Sequence, residues 1–288
     1  MPLHSGYVGI STSTHTHEVD VRWLMAYAAS LGDLNPRYMD TTSGKVFAHP
    51  LFPVCLEWPV NLEQVVVEGL PLETPEESAR VVHGSHDLHI YRPIRAGDSL
   101  NTVGTLIGLR STGSGTISTT RLDSTDADTG DLVVRTYQYG FHRGVSLEGG
   151  DKSCEEVPEI PQTVPMDNPR IQNIEVREGA AHIYTECARI WNPIHTDRAI
   201  AISAGLPNII LHGTATLAMA ISRIVDAYTD GDVAKVTRVG GRFSQMVFMP
   251  STLKLESQRN GDMVSFQVST DAGGIVISQG FVCLAERV

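Results

Sequence analysis

The 288-residue chain has no apolar run approaching the roughly 18 residues a membrane-spanning helix needs, so helical membrane insertion is not expected. It is poor in cysteine: Cys55, Cys154, Cys187 and Cys283 lie far apart and form no Cys-x-x-Cys. That spacing argues against a zinc site or a disulfide framework and fits a reducing compartment. Basic stretches with interleaved aromatics are missing, and a net charge of -11 opposes nucleic-acid binding, so an anionic ligand would need a local cationic pocket. Residues 1–10 lack a basic segment followed by an apolar core, as a secretory or transit signal would require. Glu286-Arg287-Val288 is not a peroxisomal address of the Ser-Lys-Leu type. A cytoplasmic location is the default expectation, with an organelle left open.

What the chain does contain is a duplication. Tyr27 to Asp40 aligns without a gap with Tyr184 to Asp197, 157 positions later, and Tyr, Asn, Pro and Asp coincide in both copies. The chemistry-bearing positions have diverged, Asp33 facing Ile190 and Tyr38 facing His195. Each copy thus keeps one half of an acid/base pair.

After each copy comes an apolar helical stretch and then three alternating segments. In the second half, Thr214 to Tyr228 carries Leu217, Ile221, Ile224, Val225 and Tyr228 at the spacing of a buried helix stripe, with His212-Gly213 ahead of it. Thr252–Gln258, Val264–Thr270 and Ile275–Leu284 read as half-buried strands, and Asn260-Gly261 predicts a hairpin with positive φ at both of those residues. In the first half, Pro53–Val67 is the helical candidate, stopped by Gly69 and kinked or delayed by Pro59. Strands are expected over Leu100–Leu109, Ile117–Asp123 and Leu132–Phe141. Residues 145–169, rich in proline and acidic side chains, read as an extended solvated linker between domains at 1–144 and 170–288.

A long helix wrapped by an antiparallel sheet, made twice, is an α+β tandem hotdog. The chain resembles double-hotdog members of the MaoC-like family, the R-specific enoyl-CoA hydratases and 3-hydroxyacyl dehydratases. Their motif, approximately Gly-Asp-x-Asn-Pro-x-His-x-Asp with a later His-Gly, is met by Asn192-Pro193-Ile194-His195-Thr196-Asp197 and His212-Gly213 in the second half. In the first half Gly32-Asp33-Leu34-Asn35-Pro36 matches the front and Tyr38 breaks the rest. The resemblance implies a hydratase or dehydratase acting on an acyl-CoA or acyl-carrier thioester, with CoA a substrate handle and no cofactor. It also implies that the Gly213 N–H receives the thioester oxygen, with Asn192, His212, Thr214 and Tyr184 around the substrate.

Hydrating a conjugated thioester needs a base for the water, an acid for the α-carbon and donors for the enolate oxygen. Asn192 as N-cap and Pro193 as first residue predict one short helix to Ala204, stopped by Gly205, with His195 in its first turn. There the helix dipole should hold the imidazole neutral. The position of the family's aspartate is filled by Ile190. Three readings stay open: Asp33 acts across a shared tunnel, His195 acts alone or with Asp197 or Glu186, or the pocket binds a thioester without turning it over. Asp33 has a structural alternative as the cap of the helix begun by Pro36. A hotdog thioesterase and a non-catalytic acyl-thioester-binding protein are the alternative functions.

His83, His86 and His89, three apart in an extended segment, should place His86 on the face opposite the other two, and His15 with His17 lack a third ligand, so no metal is expected. Arg92, Arg95 and Arg242 are candidates for the CoA phosphates. A duplicated chain is already equivalent to a hotdog dimer, and a further homodimer is compatible with it.

Overall fold

The computed structural model describes residues 3–78 and 80–285, so Glu286-Arg287-Val288 lies outside the described residues. The first half contributes strands β1 (Leu3–His4), β2 (His15–Glu18), β3 (Val81–Ile90), β4 (Ser99–Thr112), β5 (Gly115–Asp126) and β6 (Leu132–Arg143), and helices α1 (Val21–Ser30), α2 (Pro36–Met39), α3 (Pro53–Leu62) and α4 (Pro75–Ser78). Two short strands follow, β7 (Leu147–Glu148) and β8 (Lys152–Ser153). The second half contributes β9 (Arg170–Val176), β10 (Ile210–Leu211), β11 (Val236–Phe243), β12 (Val247–Phe248), β13 (Ser251–Asn260), β14 (Met263–Thr270) and β15 (Ile275–Leu284), with α5 (Ala180–Ala188), α6 (Arg198–Ser203) and α7 (Gly213–Thr229).

The large sheet runs β2-β4-β5-β6-β3-β11-β15-β14-β13-β9, a palindrome about the β3–β11 pair. The duplication seen in the sequence is thus a pseudo-twofold in space, and the central helix of each half lies against its own strands. The two copies of the motif tyrosine meet near that axis, with Tyr27 Oη 3.4 Å from Tyr184 Oη. Across the sheet seam Arg238 donates from Nε and Nη2 to both oxygens of Asp87, each at 2.8 Å. Trp23 Nε1 donates to the Cys187 carbonyl, tying α1 to α5.

Helix α7 is buried nearly all round because the sheet covers one side and the first half covers the other. Leu217, Ile221 and Ile224 are fully buried, each worth roughly 1.5–3 kcal/mol of transfer free energy. Helix α3 is much shorter than expected, ending at Leu62 and not near Gly69. Pro59 lies in its last turns, and beyond it Glu63 leaves the helix to accept from Ser13 N–H and Oγ–H and to meet His15 Nε2 at 2.7 Å. An attachment to the chain 50 residues earlier outweighs continuation of the helix.

The expected hairpin after β13 forms with a different turn. Asn260 pairs with Met263, so Gly261 and Asp262 are the central residues, and only Gly261 has positive φ (62°). That is the II′ pattern, with glycine at the first central position. Residues 145–153 stay with the first half: β7 pairs with β1 and β8 with β4. Further on, the Glu159 carbonyl accepts from Arg238 at the sheet seam. No described helix is long and apolar enough to cross a membrane.

Candidate active site

The second motif begins where α5 ends. Arg189 caps that helix in the left-handed conformation (φ 59°), the position held by Gly32 (φ 70°) in the first half. Its cost in backbone strain is offset by the guanidinium lying 3.9 Å from the Trp23 ring centroid, a close cation–π contact. Ile190 then turns into the core, 6% exposed, where the family's aspartate would be.

The single helix expected from Asn192 to Ala204 is two. Asn192 Oδ1 caps a short 3₁₀ turn over Pro193–His195, and Asp197 Oδ1 caps α6 by accepting from Ala199 and Ile200. Asp197 is therefore spent as a cap. Glu186 is engaged elsewhere, accepting from Trp191 Nε1 at 3.5 Å on the exposed side.

His195 is 9% exposed and donates from Nδ1 to the Ile210 carbonyl at 2.8 Å. That bond fixes the tautomer and leaves Nε2 with a free lone pair. Burial pushes the imidazole down to about 4, against the Ile210 bond, which favours the charged form. The neutral state expected from the sequence is present, but its cause is burial and not the helix dipole, since His195 ends its turn. Its ring stacks on His212 at 3.6 Å between centroids and 24° between planes. His212 is held well below its ordinary range by burial and then by His195. One of its nitrogens, Nε2, lies 3.3 Å from Thr185 Oγ1, and Nδ1 is buried without a partner.

His212 leads into α7, and its side chain makes no cap there. The helix thus begins without a side-chain cap at the exposed Gly213, directly after His212, whose ring stacks on His195. Phe243 packs over Gly213 so closely that a Cβ would lie 3.0–3.3 Å from three ring atoms. Thr214 Oγ1 accepts from Tyr184 Oη at 3.2 Å, and Tyr184 is fully buried. Tyr184, expected against the substrate, is instead part of the core with its hydroxyl occupied.

Asp33 is elsewhere. It is 7% exposed and lines a cavity with Met219, Ser222, Arg223 and Asp226 of α7. Ser222 is nine residues along α7 from Gly213, about 14 Å at the helical rise. The structure does not bring Asp33 to His195. Nor does Asp33 cap α2: Asn35 does, through Oδ1, while Asp33 Oδ1 accepts the Asn35 N–H. Sequence reasoning also missed His49, which lies in the turn ahead of α3 and whose Nε2 lies 3.2 Å from Ser222 Oγ.

The histidine expectation needs correction too. A register shift at Gly84 in the β3–β6 ladder puts His83 and His86 side by side, 5.4 Å between centroids, while His89 sits with Asp87. Among the described residues no group of three or more side chains is placed to hold a metal. Of the three arginines, Arg92 is consumed by Asp98 and Asp126, both at 2.7 Å, and Arg95 lies over Phe47. Arg242 is exposed on β11.

Comparison with known proteins agrees with this architecture. The family described as MaoC like domain matches residues 158–279, and that described as FAS1-like, dehydratase domain region, matches residues 6–136. The chain is 27% identical over 224 residues to Enoyl-CoA hydratase 2, peroxisomal, of Arabidopsis thaliana, covering 75% of this chain and 72% of that one. It is 26% identical over 277 residues to Peroxisomal multifunctional enzyme type 2 of Drosophila melanogaster, covering 93% of this chain but 46% of that enzyme, so it spans less than half of the latter. The crystal structure of a MaoC-like dehydratase from Phytophthora capsici superposes with a TM-score of 0.85 at 24% identity, covering 97% and 96% of the two chains. With both halves matched and the palindromic sheet in place, this chain belongs to the MaoC-like dehydratase family in its double-hotdog form.

Proposed function

We propose that the protein is a hydro-lyase that adds water to a 2-enoyl thioester, or removes it from a 3-hydroxyacyl thioester, with His195 as its acid/base group and the Gly213 N–H as oxyanion donor. The observation that carries this is the bond from His195 Nδ1 to the Ile210 carbonyl, which presents a neutral, unprotonated Nε2 beside the uncapped start of α7. Water held by Nε2 loses a proton as its oxygen attacks the β-carbon, the enolate charge develops at the helix N-terminus, and the same imidazolium returns a proton to the α-carbon. Ile190 removes the carboxylate that would share this work, so one imidazole performs both transfers in succession.

The activities named for the Arabidopsis and Drosophila relatives support the reaction class, and their peroxisomal names support an organellar setting beside the cytoplasmic default. Replacing His195 by Ala and following hydration of crotonyl-CoA and a branched enoyl-CoA tests the assignment. The expected loss in kcat/KM is on the order of 10²-fold or more with the fold intact by circular dichroism. Unchanged turnover would end it. Free thiol release in place of hydration would favour a thioesterase, and substrate binding without turnover in the unaltered protein a non-catalytic acyl-thioester-binding protein.

A further inference from the structure

The first-half motif faces a cavity of about 220 Å³ between the turn Leu31–Asn35 and the middle of α7, independent of the reading given to His195. Asp33 supplies its most telling atom: Oδ1 accepts the Asn35 N–H, whereas Oδ2 is buried with no partner. Burying a carboxylate oxygen without a donor is costly, so the site is shaped for something that brings one. Asp226 and Arg223 also line the cavity, which leaves one unbalanced negative charge among its ionic side chains. Leu31, Ile174 and Met219 supply apolar wall. The Tyr38 phenol is fully buried and also without a partner, and its acidity is suppressed by burial, then by Asp33 and Asp226.

Catalysis of the kind proposed for the second half does not fit here. His49 Nδ1 accepts from the Leu51 N–H, so the proton sits on Nε2 and is donated to Ser222 Oγ. The imidazole thus cannot take a proton from Ser222, which excludes a serine nucleophile activated by it. Nor is there an oxyanion site. The start of α3 has proline at 50 and 53, and the N–H groups of Leu51, Phe52, Val54 and Cys55 are all used within the turn. What remains is a binding site.

We infer that this cavity binds a small molecule carrying a protonated amine, its ammonium donating to Asp33 Oδ2 with Asp226 nearby and its hydrocarbon resting on Leu31, Ile174 and Met219. A single positive charge neutralises the lining and gives the orphaned oxygen a charge-assisted hydrogen bond. Calorimetric titration of the full chain with n-butylammonium at pH 7 tests this, with 1-butanol and glycerol as uncharged comparisons. Saturable binding of the ammonium alone is expected. It should weaken about ten-fold or more in Asp33→Asn, which can still accept from Asn35, weaken in Asp226→Asn, and persist in His195→Ala. Absence of saturable heat would overturn the inference, leaving only buried water in the cavity. Equal affinity for the alcohols, affinity unaffected by either substitution, or loss of binding in His195→Ala would overturn it as well.

Discussion

Lowering the pH from 7 to 4.5 should strip this protein of most of its stability through its buried imidazoles. His83 and His195 are held at about 4 and His86 at about 3, against an ordinary 6.5, chiefly by burial in each case. In the unfolded chain all three take up protons as the pH falls through 6.5, whereas in the folded chain they stay neutral until about 4. Over that window the unfolded state holds up to three more protons, so stability falls with pH. Glu57 works in the opposite sense. It is 2% exposed, and burial raises its carboxyl to about 7 against the bond from the Thr136 hydroxyl. The folded chain takes this proton near pH 7 and the unfolded chain only near 4.5, so Glu57 gains stability across the same range. For these four groups alone the difference of about two protons corresponds to ~2.7 kcal/mol per pH unit, or ~5 kcal/mol between pH 6.5 and 4.5. That matches the low end of a domain's total stability. His17, His49 and His212, also depressed by burial, act in the same direction as the other histidines. Thermal unfolding followed by circular dichroism from pH 7.5 to 4.5, with proton uptake measured in buffers of different ionisation enthalpy, is the assay. Tm should decline steadily below pH 6.5, less steeply in His86→Leu and more steeply in Glu57→Gln. A Tm that is constant between pH 7 and 5 would refute the reasoning.

Arg238→Met should destabilise the chain by ~3–5 kcal/mol in urea unfolding, because it leaves Asp87, 1% exposed, with only His89 at 3.3 Å for its charge. A loss below ~1 kcal/mol would mean that the seam does not depend on this pair. Gly213→Ala should cost ~1–3 kcal/mol through the Phe243 ring it meets, and Phe243→Leu in the same chain should recover most of it. Recovery of stability without recovery of hydration rate would show that the ring also shapes the thioester site.

Much of the fold was legible because its signals are local. The apolar stripe of α7 and the alternation of the six meander strands need only neighbouring residues to be read, and they appear within a few positions of expectation. The errors occur where distant partners intervene. Glu63 ends α3 because Ser13 and His15 offer it bonds that no helical periodicity encodes. His83 and His86 became neighbours because an irregularity at Gly84 inverted the alternation, and nothing in the spacing of histidines marks a bulge. The neutrality of His195 was anticipated for the wrong cause, since its burial depends on Ile210 and His212 returning from further along the chain.

The duplication explains why the site is distributed as it is. Both halves carry the same motif segment ahead of a central helix, and each holds what the other lacks. The second half retains a motif histidine and an α7 whose first amides are free of a side-chain cap, but an isoleucine fills the carboxylate position. The first half retains the carboxylate, but prolines and a tight turn have closed the amide donors at α3. Asp33 lies beside Ser222, about 14 Å along α7 from the helix start that follows His212, too far to share a proton with an imidazole there, so the two motifs do not combine into one catalytic pair. On the two readings proposed above they are one site for a thioester and one for an ammonium-bearing ligand, set at the start of α7 and at its Ser222, Arg223 and Asp226. On these readings an isoleucine at 190 is compatible with hydration, because the proposed chemistry of the second half calls on the imidazole and the amides, while Asp33 is engaged at its own cavity.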